Sequence, residues 1–317
     1  MSVMTGHPRT AVRATLTHLL LLTSALSLCV WGAPAALGHE DIELQISAIS
    51  VQLQGRPGDP ELLCRRGRLF LEHENFTEAL ADFDRSLEAA PGRLEPLIYR
   101  GLALHQLGQT ERALQDLDRY VAEGPPDYMA YEVRARIRSS LDDVMGAVED
   151  LTDAIRLRPL PEHFSQRARL LKRAGLATEA IANYEEGIRL LGESVPIVMG
   201  LLELEAEEGR FEEALRWLAV LEDQSPRRER WMLKRAEILA RAAQESASQA
   251  AYAEALAELD RRIAAGRSTH FVLLEKAQAL AGLGRHDEAR ELRRSLVPAA
   301  QEMEEYHVLQ QLLGEAR

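Results

Sequence analysis

The chain has 317 residues, with 38 basic against 50 acidic side chains and a formal net charge of -12. A surface with that balance repels phosphate backbones, which excludes nucleic acid as the main ligand. With only two cysteines, a disulfide-stapled scaffold is excluded as well.

The N-terminal segment carries Arg9 and Arg13, no acidic residue before Glu40, an apolar run from Leu19 to Trp31, and then the small-residue stretch APAALG. That is the layout of a secretory signal peptide, with an apolar core too short for a comfortable membrane span. Residues 1–38 are therefore expected to be a leader cleaved after Ala35 or Gly38. The mature protein would be exported, periplasmic or extracellular, with no stable membrane span. An uncleaved anchor is the alternative. LSLC, ending in Cys29, offers a lipid-anchor site, although Leu28 stands where a small residue is expected. Loss of Arg9 and Arg13 takes the net charge to -14 and leaves Cys64 as the only cysteine, so no intramolecular disulfide can form.

Residues 39–59 follow as an amphipathic segment, with Ile42, Leu44, Ile46, Ile49, Val51 and Leu53 ended by Gly55 and Pro57. They predict a capping helix, because the first unit of a stacked array exposes an apolar face until something covers it. The stretch from Pro60 to Pro91 then recurs thirty-four residues later with matched landmarks. Gly67 answers Gly101, Ala79 answers Ala113, Phe83 answers Leu117 and Pro91 answers Pro125. Further copies give units near 60–93, 94–127, 128–160, 161–194, 195–228, 229–269 and 270–300, with a second capping helix at 301–317. A short period of this kind predicts one elongated body instead of two ordinary domains.

Each unit reads as a helix–turn–helix. Small residues midway along the first helix (Gly67, Gly101, Ala135, Ala168, Ala236, Ala277) and early in the second (Ala79, Ala113, Ala147, Ala180, Ala214, Ala255, Ala289) let the two backbones approach closely. Phe83 and its counterparts fill the space beside that contact. Gly108, Gly175 and Gly209 suit the left-handed end of a first helix. Unit five has Leu202 at the small position. Unit six has nineteen residues from Ala236 to Ala255 against twelve from Gly67 to Ala79. The seven extra residues predict either a solvated turn or a lengthened helix that projects as a lever.

This pattern resembles the tetratricopeptide repeat: Leu63, Gly67, Phe70, Ala79, Phe83 and Pro91 match its landmarks, with Ser86 for the second alanine. The resemblance covers about residues 41 to 300. It implies an all-α, right-handed α-solenoid of about seven units with N- and C-terminal capping helices. An arginine precedes the small residue at Arg66, Arg100, Arg134, Arg167 and Arg235, with Lys276 in the last unit, and Asp82, Asp116, Asp150 and Asn183 stand opposite. These predict ion pairs within or between units.

The resemblance further implies a concave groove lined by first helices. Mapped onto this chain, the groove positions supply Arg68, Arg136, Arg169 and Lys172, with Arg173 beside them, and then Glu203, Glu207, Glu237 and Gln278. The basic half suits the carboxylates of an acidic or C-terminal peptide segment. Glu61, Glu72, Glu95, Glu132 and Glu162 share those helices, so a solvated mixed-charge face is the competing reading. The family's two-carboxylate clamp is not matched, since Cys64 and Tyr99 occupy clamp positions. No motif for catalysis or a cofactor occurs, and the histidines read as packing or surface residues. The exception is His39, which as a mature N-terminus could chelate a metal ion. A non-enzymatic scaffold for a protein or peptide partner is the expected function. An accessory subunit or assembly factor of an envelope enzyme complex, and a metal-handling protein using His39, are the alternatives.

Overall fold

The structure is a computed structural model that describes residues 34–225 and 227–296, with side chains from Asp41 onward. The expected leader up to residue 33, Cys29 within it, Pro226, and the C-terminal cap at 301–317 lie outside the described residues, as does the side chain of His39. Among the described residues there are fifteen helices and no strand. The chain divides between Gln109 and Thr110 into two compact units, where the repeat period predicts a single body.

The N-terminal unit holds α1 (Pro34–Gly55), α2 (Pro60–Glu72), α3 (Phe76–Ala89) and α4 (Glu95–Gln106). The first helix begins inside the segment read as leader. It buries Ile49 and Leu53, with Ile42 and Ile46 beside them, against Leu62, Leu63 and Leu69 of α2. Those four residues form one helical stripe, which leaves Leu44 and Val51 exposed. The carboxylate of Asp59 accepts the N–H groups of Glu61 and Leu62, and Pro60 sits where a missing N–H is harmless, so α2 starts sharply. At Gly67 a Cβ would lie 2.7 Å from the ring of Phe83, so only glycine lets α2 and α3 close over that ring. Phe83 is fully buried, which contributes on the order of 2 kcal/mol.

The C-terminal unit begins with α5 (Thr110–Glu123) and continues through α6 (Tyr128–Ser140), α7 (Val144–Leu157), α8 (Pro161–Arg173) and α9 (Ala177–Leu191). It goes on through α10 (Val195–Glu207), α11 (Phe211–Gln224), α12 (Arg228–Arg241), α13 (Glu245–Ala264), α14 (His270–Gly282) and α15 (His286–Arg294). Ala147, Ala180, Ala214, Ala236, Ala255, Ala277 and Ala289 are all fully buried, as is Leu202. First helices end in a left-handed residue: Gly175 and Gly209 here and Gly108 in the N-terminal unit all have φ 75. Glu74, Asp142 and Ala243 adopt the same conformation without being glycine, at φ 60, 64 and 56.

Nothing is inserted between the helices of unit six: α13 starts nine residues after Ala236, as α3 starts nine after Gly67, so Ser248 and not Ala255 stands at the Ala79 place, and the 20 residues of α13 against 14 in α3 lengthen its far end. The first turns of α13 keep the register of the other second helices and are packed. Ser248 Oγ donates to the Ala236 carbonyl at 2.9 Å, and the Gln249 amide donates to the Gly282 carbonyl at 3.0 Å. Tyr252 lies over Gly282, where a Cβ would meet the ring at 2.4 Å. The extra residues at the end of α13 form neither a solvated turn nor a projecting lever, because Arg262 donates back to Glu229 of α12 and Ile263 packs against the core cluster.

The arginine series forms rungs between second helices. Arg66 binds Asp82, sixteen residues ahead, through Nε at 2.7 Å and Nη2 at 2.8 Å, and it reaches Ser50, sixteen behind, at 2.9 Å. Arg134 repeats this with Asp150 at 2.6 Å and Asp118 at 2.9 Å. Arg167 donates to Asn183 at 2.6 Å and to Thr152 at 3.1 Å. Arg100 bonds Asp84 at 2.7 Å and Lys276 meets Asp260 at 2.6 Å, each sixteen residues behind. One side chain thus fixes the register of two neighbouring second helices.

Candidate functional site

Of the five predicted groove cations, Arg136, Arg169 and Arg173 come together around one cleft of about 330 Å³ between α6 and α8. Ala135, Leu151 and Leu170 form its apolar lining, while Ser139 and Gln166 add neutral polar groups. Spacing explains the grouping: Arg169 and Arg173 lie one helical turn apart on α8, facing Arg136 on α6.

The three guanidinium groups differ in what already holds them. Arg136 donates to Glu132 at 3.2 Å one turn earlier. Glu132 also faces Nε2 of buried His163 at 3.5 Å, and this contact, more than the Arg136 charge, holds its carboxyl below the usual range. Arg173 reaches back to α6, where it donates to the Ser139 carbonyl at 3.2 Å and lies 3.5 Å from Asp142. Arg169 is exposed at the centre of the cleft and also lines a smaller adjoining one of about 150 Å³ with Tyr184, Glu203 and Glu207. Gly200 shapes that second cleft, since a Cβ there would meet the Tyr184 ring at 2.4 Å.

Lys172 behaves differently from the arginines, because its ammonium pairs with Glu207 on α10. The basic and acidic halves read from the sequence therefore meet and partly cancel at this point. Lys234 similarly pairs with Glu203 at 3.3 Å. Arg68 belongs to the N-terminal unit, where its guanidinium lies 4.8 Å from the centre of the Tyr99 ring and 3.9 Å from Glu95. Cys64 is buried there, and desolvation pushes its thiol up to about 11, which keeps it protonated and unreactive.

A charged cluster that the repeat pattern does not mark lies among α12, α13 and α14. Arg227 donates to Glu275 at 2.9 Å, sits 3.5 Å from Glu229, and stacks 4.2 Å from the centre of the Phe271 ring. Arg262 donates to Glu229 as well. Glu275 is 1% exposed and its Oε2 has no hydrogen-bond partner. Burial pushes its carboxyl up to about 7, against the lowering effect of Arg227 and with Glu229 adding to the rise. Among the described residues there is no group of three His, Cys, Asp or Glu placed to hold a metal ion, and no helix long and apolar enough to cross a membrane.

Paired helices locked by small residues and by rungs between repeats define a helical-repeat protein. The family model described as tetratricopeptide repeat matches residues 64–128 and 165–229, so the chain carries tetratricopeptide repeats. No curated protein matches the sequence. Among solved structures the chain is similar to a tetratricopeptide repeat protein from Parabacteroides merdae, at 17% identity over 80% of this chain and 97% of that one, with a TM-score of 0.49. It is also similar to YrrB, described as a TPR protein with an unusual peptide-binding site, at 16% identity over 57% of this chain and 94% of that one, with a TM-score of 0.45. A third is PilF of Pseudomonas aeruginosa, at 13% identity over 81% of this chain and 99% of that one, with a TM-score of 0.48. Proteins of this family are typically non-enzymatic scaffolds that bind protein or peptide partners.

Proposed function

We propose that this scaffold captures an acidic or C-terminal peptide segment of a partner protein in the cleft between α6 and α8. The observation that carries the reading is Arg169, an exposed guanidinium at the meeting point of two clefts, with Arg136 and Arg173 flanking it and apolar Leu151 and Leu170 beneath. A carboxylate entering there meets charge-assisted N–H donors in a fork that matches its own geometry, while the adjacent side chain of the peptide covers the apolar floor. A rigid repeat surface lowers the ordering cost of holding an extended ligand. Arg68 holds the equivalent repeat position within the N-terminal unit and is proposed to meet a carboxylate there by itself, whereas Lys172 is held by Glu207 and adds less.

A peptide array with and without acidic segments tests this. Preference for acidic segments, lost on Arg169→Ala and weakened by Arg136→Ala, is the expected result. Equal capture of neutral peptides by both variants would sink it. We further propose that the protein acts after export, on the strength of the leader pattern in residues 1–38. A mature N-terminus beginning at Ala36 or His39 in protein recovered from its native source is the expected mass-spectrometric result.

A further inference from the structure

A second pocket, of about 370 Å³, opens between α9, α10 and α11 and shares no residue with the basic cleft. Glu185, Glu205, Arg210, Glu213, Arg216 and Trp217 form its walls. The arrangement centres on Glu205, which is 1% exposed although it carries a carboxylate. Its Oε1 lies 3.8 Å from the Arg210 guanidinium, beyond hydrogen-bond distance, and its Oε2 has no hydrogen-bond partner. The local backbone explains why Arg210 stops short. After left-handed Gly209, the Arg210 N–H donates to the Glu205 carbonyl at 2.8 Å, so the two side chains leave the chain almost side by side. Arg216 is engaged by Glu213 at 2.8 Å one turn away on α11. Glu185 stands exposed on α9, and the half-buried Trp217 indole supplies an aromatic wall.

A buried carboxylate accepts several hydrogen bonds when its needs are met, and here one oxygen has none. Burial pushes the Glu205 carboxyl above its usual range, with Glu213 and Glu185 adding to the rise and Arg210 and Arg216 opposing it. An incoming cation would supply the missing donors, and an aromatic wall favours a positive charge over its face.

We propose that this pocket receives a lysine or arginine side chain of a partner protein, with Glu205 as its charge partner, Glu185 at the rim and the Trp217 indole along its stem. The site recognises the opposite charge from the α6–α8 cleft and is independent of it. The test titrates the full chain with N-acetyl-arginine N-methylamide, the lysine analogue and the uncharged norleucine analogue, following the Trp217 indole N–H resonance, which Trp217→Phe assigns. A saturable shift with either cationic probe is expected, weakened at least about tenfold by Glu205→Gln and unchanged by Arg169→Ala. The tighter of the two probes identifies the side chain. Equal shifts from the norleucine analogue, no saturable shift from either cation, or unaltered affinity in Glu205→Gln would overturn the proposal. If Glu205→Gln does not fold, Glu185→Gln at the exposed rim decides the matter: weakened binding supports the site, and unchanged binding refutes it.

Discussion

Glu275 makes the pH dependence of stability calculable. In the unfolded chain its carboxyl titrates near the ordinary value of 4.5, and in the folded protein burial lifts it to about 7. The folded state therefore holds a proton that the unfolded state has released. The stabilisation this brings is complete below about pH 4.5 and disappears as pH rises through about 7. The whole excursion corresponds to roughly 3 kcal/mol, at about 1.4 kcal/mol per tenfold change in proton affinity. Glu275→Gln keeps the shape and one hydrogen bond to Arg227 but removes the titration. Urea denaturation of both proteins, followed by far-UV circular dichroism from about pH 4.5 to about pH 8, isolates the effect, because carboxylates common to both cancel in the difference. The wild type should lose roughly 3 kcal/mol relative to Glu275→Gln across that range. A difference independent of pH, or one in which the wild type gains stability as pH rises, would refute the assignment of Glu275 as a desolvated acid.

Arg134→Met should destabilise the C-terminal unit by about 2 to 4 kcal/mol, because it strips buried Asp150 of its main partner and leaves Arg138 at 3.0 Å. Ala243→Gly should raise stability by about 1 kcal/mol, since glycine adopts the φ of 56 found there without the steric cost that alanine carries. Gly282→Ala should lower stability by about 1 to 3 kcal/mol, despite alanine's better helix propensity, as its methyl would enter the Tyr252 ring. Each is read from equilibrium denaturation midpoints at unchanged m-value.

The helix pairs were legible because their landmarks are local: a glycine that must adopt positive φ, as at Gly175, or one that must admit a ring, as at Gly67, advertises itself by type and spacing. The partnership of Arg66 with Asp82 was legible for the same reason, both residues sitting at fixed offsets in one unit. The charge balance of the groove was not, because Lys172 and Glu207 lie thirty-five residues apart and cancel only once two first helices are set side by side. Glu205 and Glu275 also escaped notice. A glutamate within a helix reads as a solvent-facing residue, and only the packing of neighbouring helices buries it. Apolar character misled at Leu44 and Val51, which share a segment with the buried stripe of α1 but face away from it.

The rungs are unevenly distributed along the C-terminal unit. Arg134 and Arg167 each tie a second helix to both sides, whereas unit five has Leu201 at the corresponding place, and Arg235 reaches back to Glu222 alone among the described residues. In a one-dimensional array the coupling between adjacent elements determines how far a local opening spreads. Helices α6 to α9 are therefore expected to exchange their amide hydrogens as one cooperative block, with α10 and α11, which lack such a rung, opening more readily. The lengthened end of α13 lies beyond that gap and carries its own polar clasps, Arg262 to Glu229 and Asp260 to Lys276.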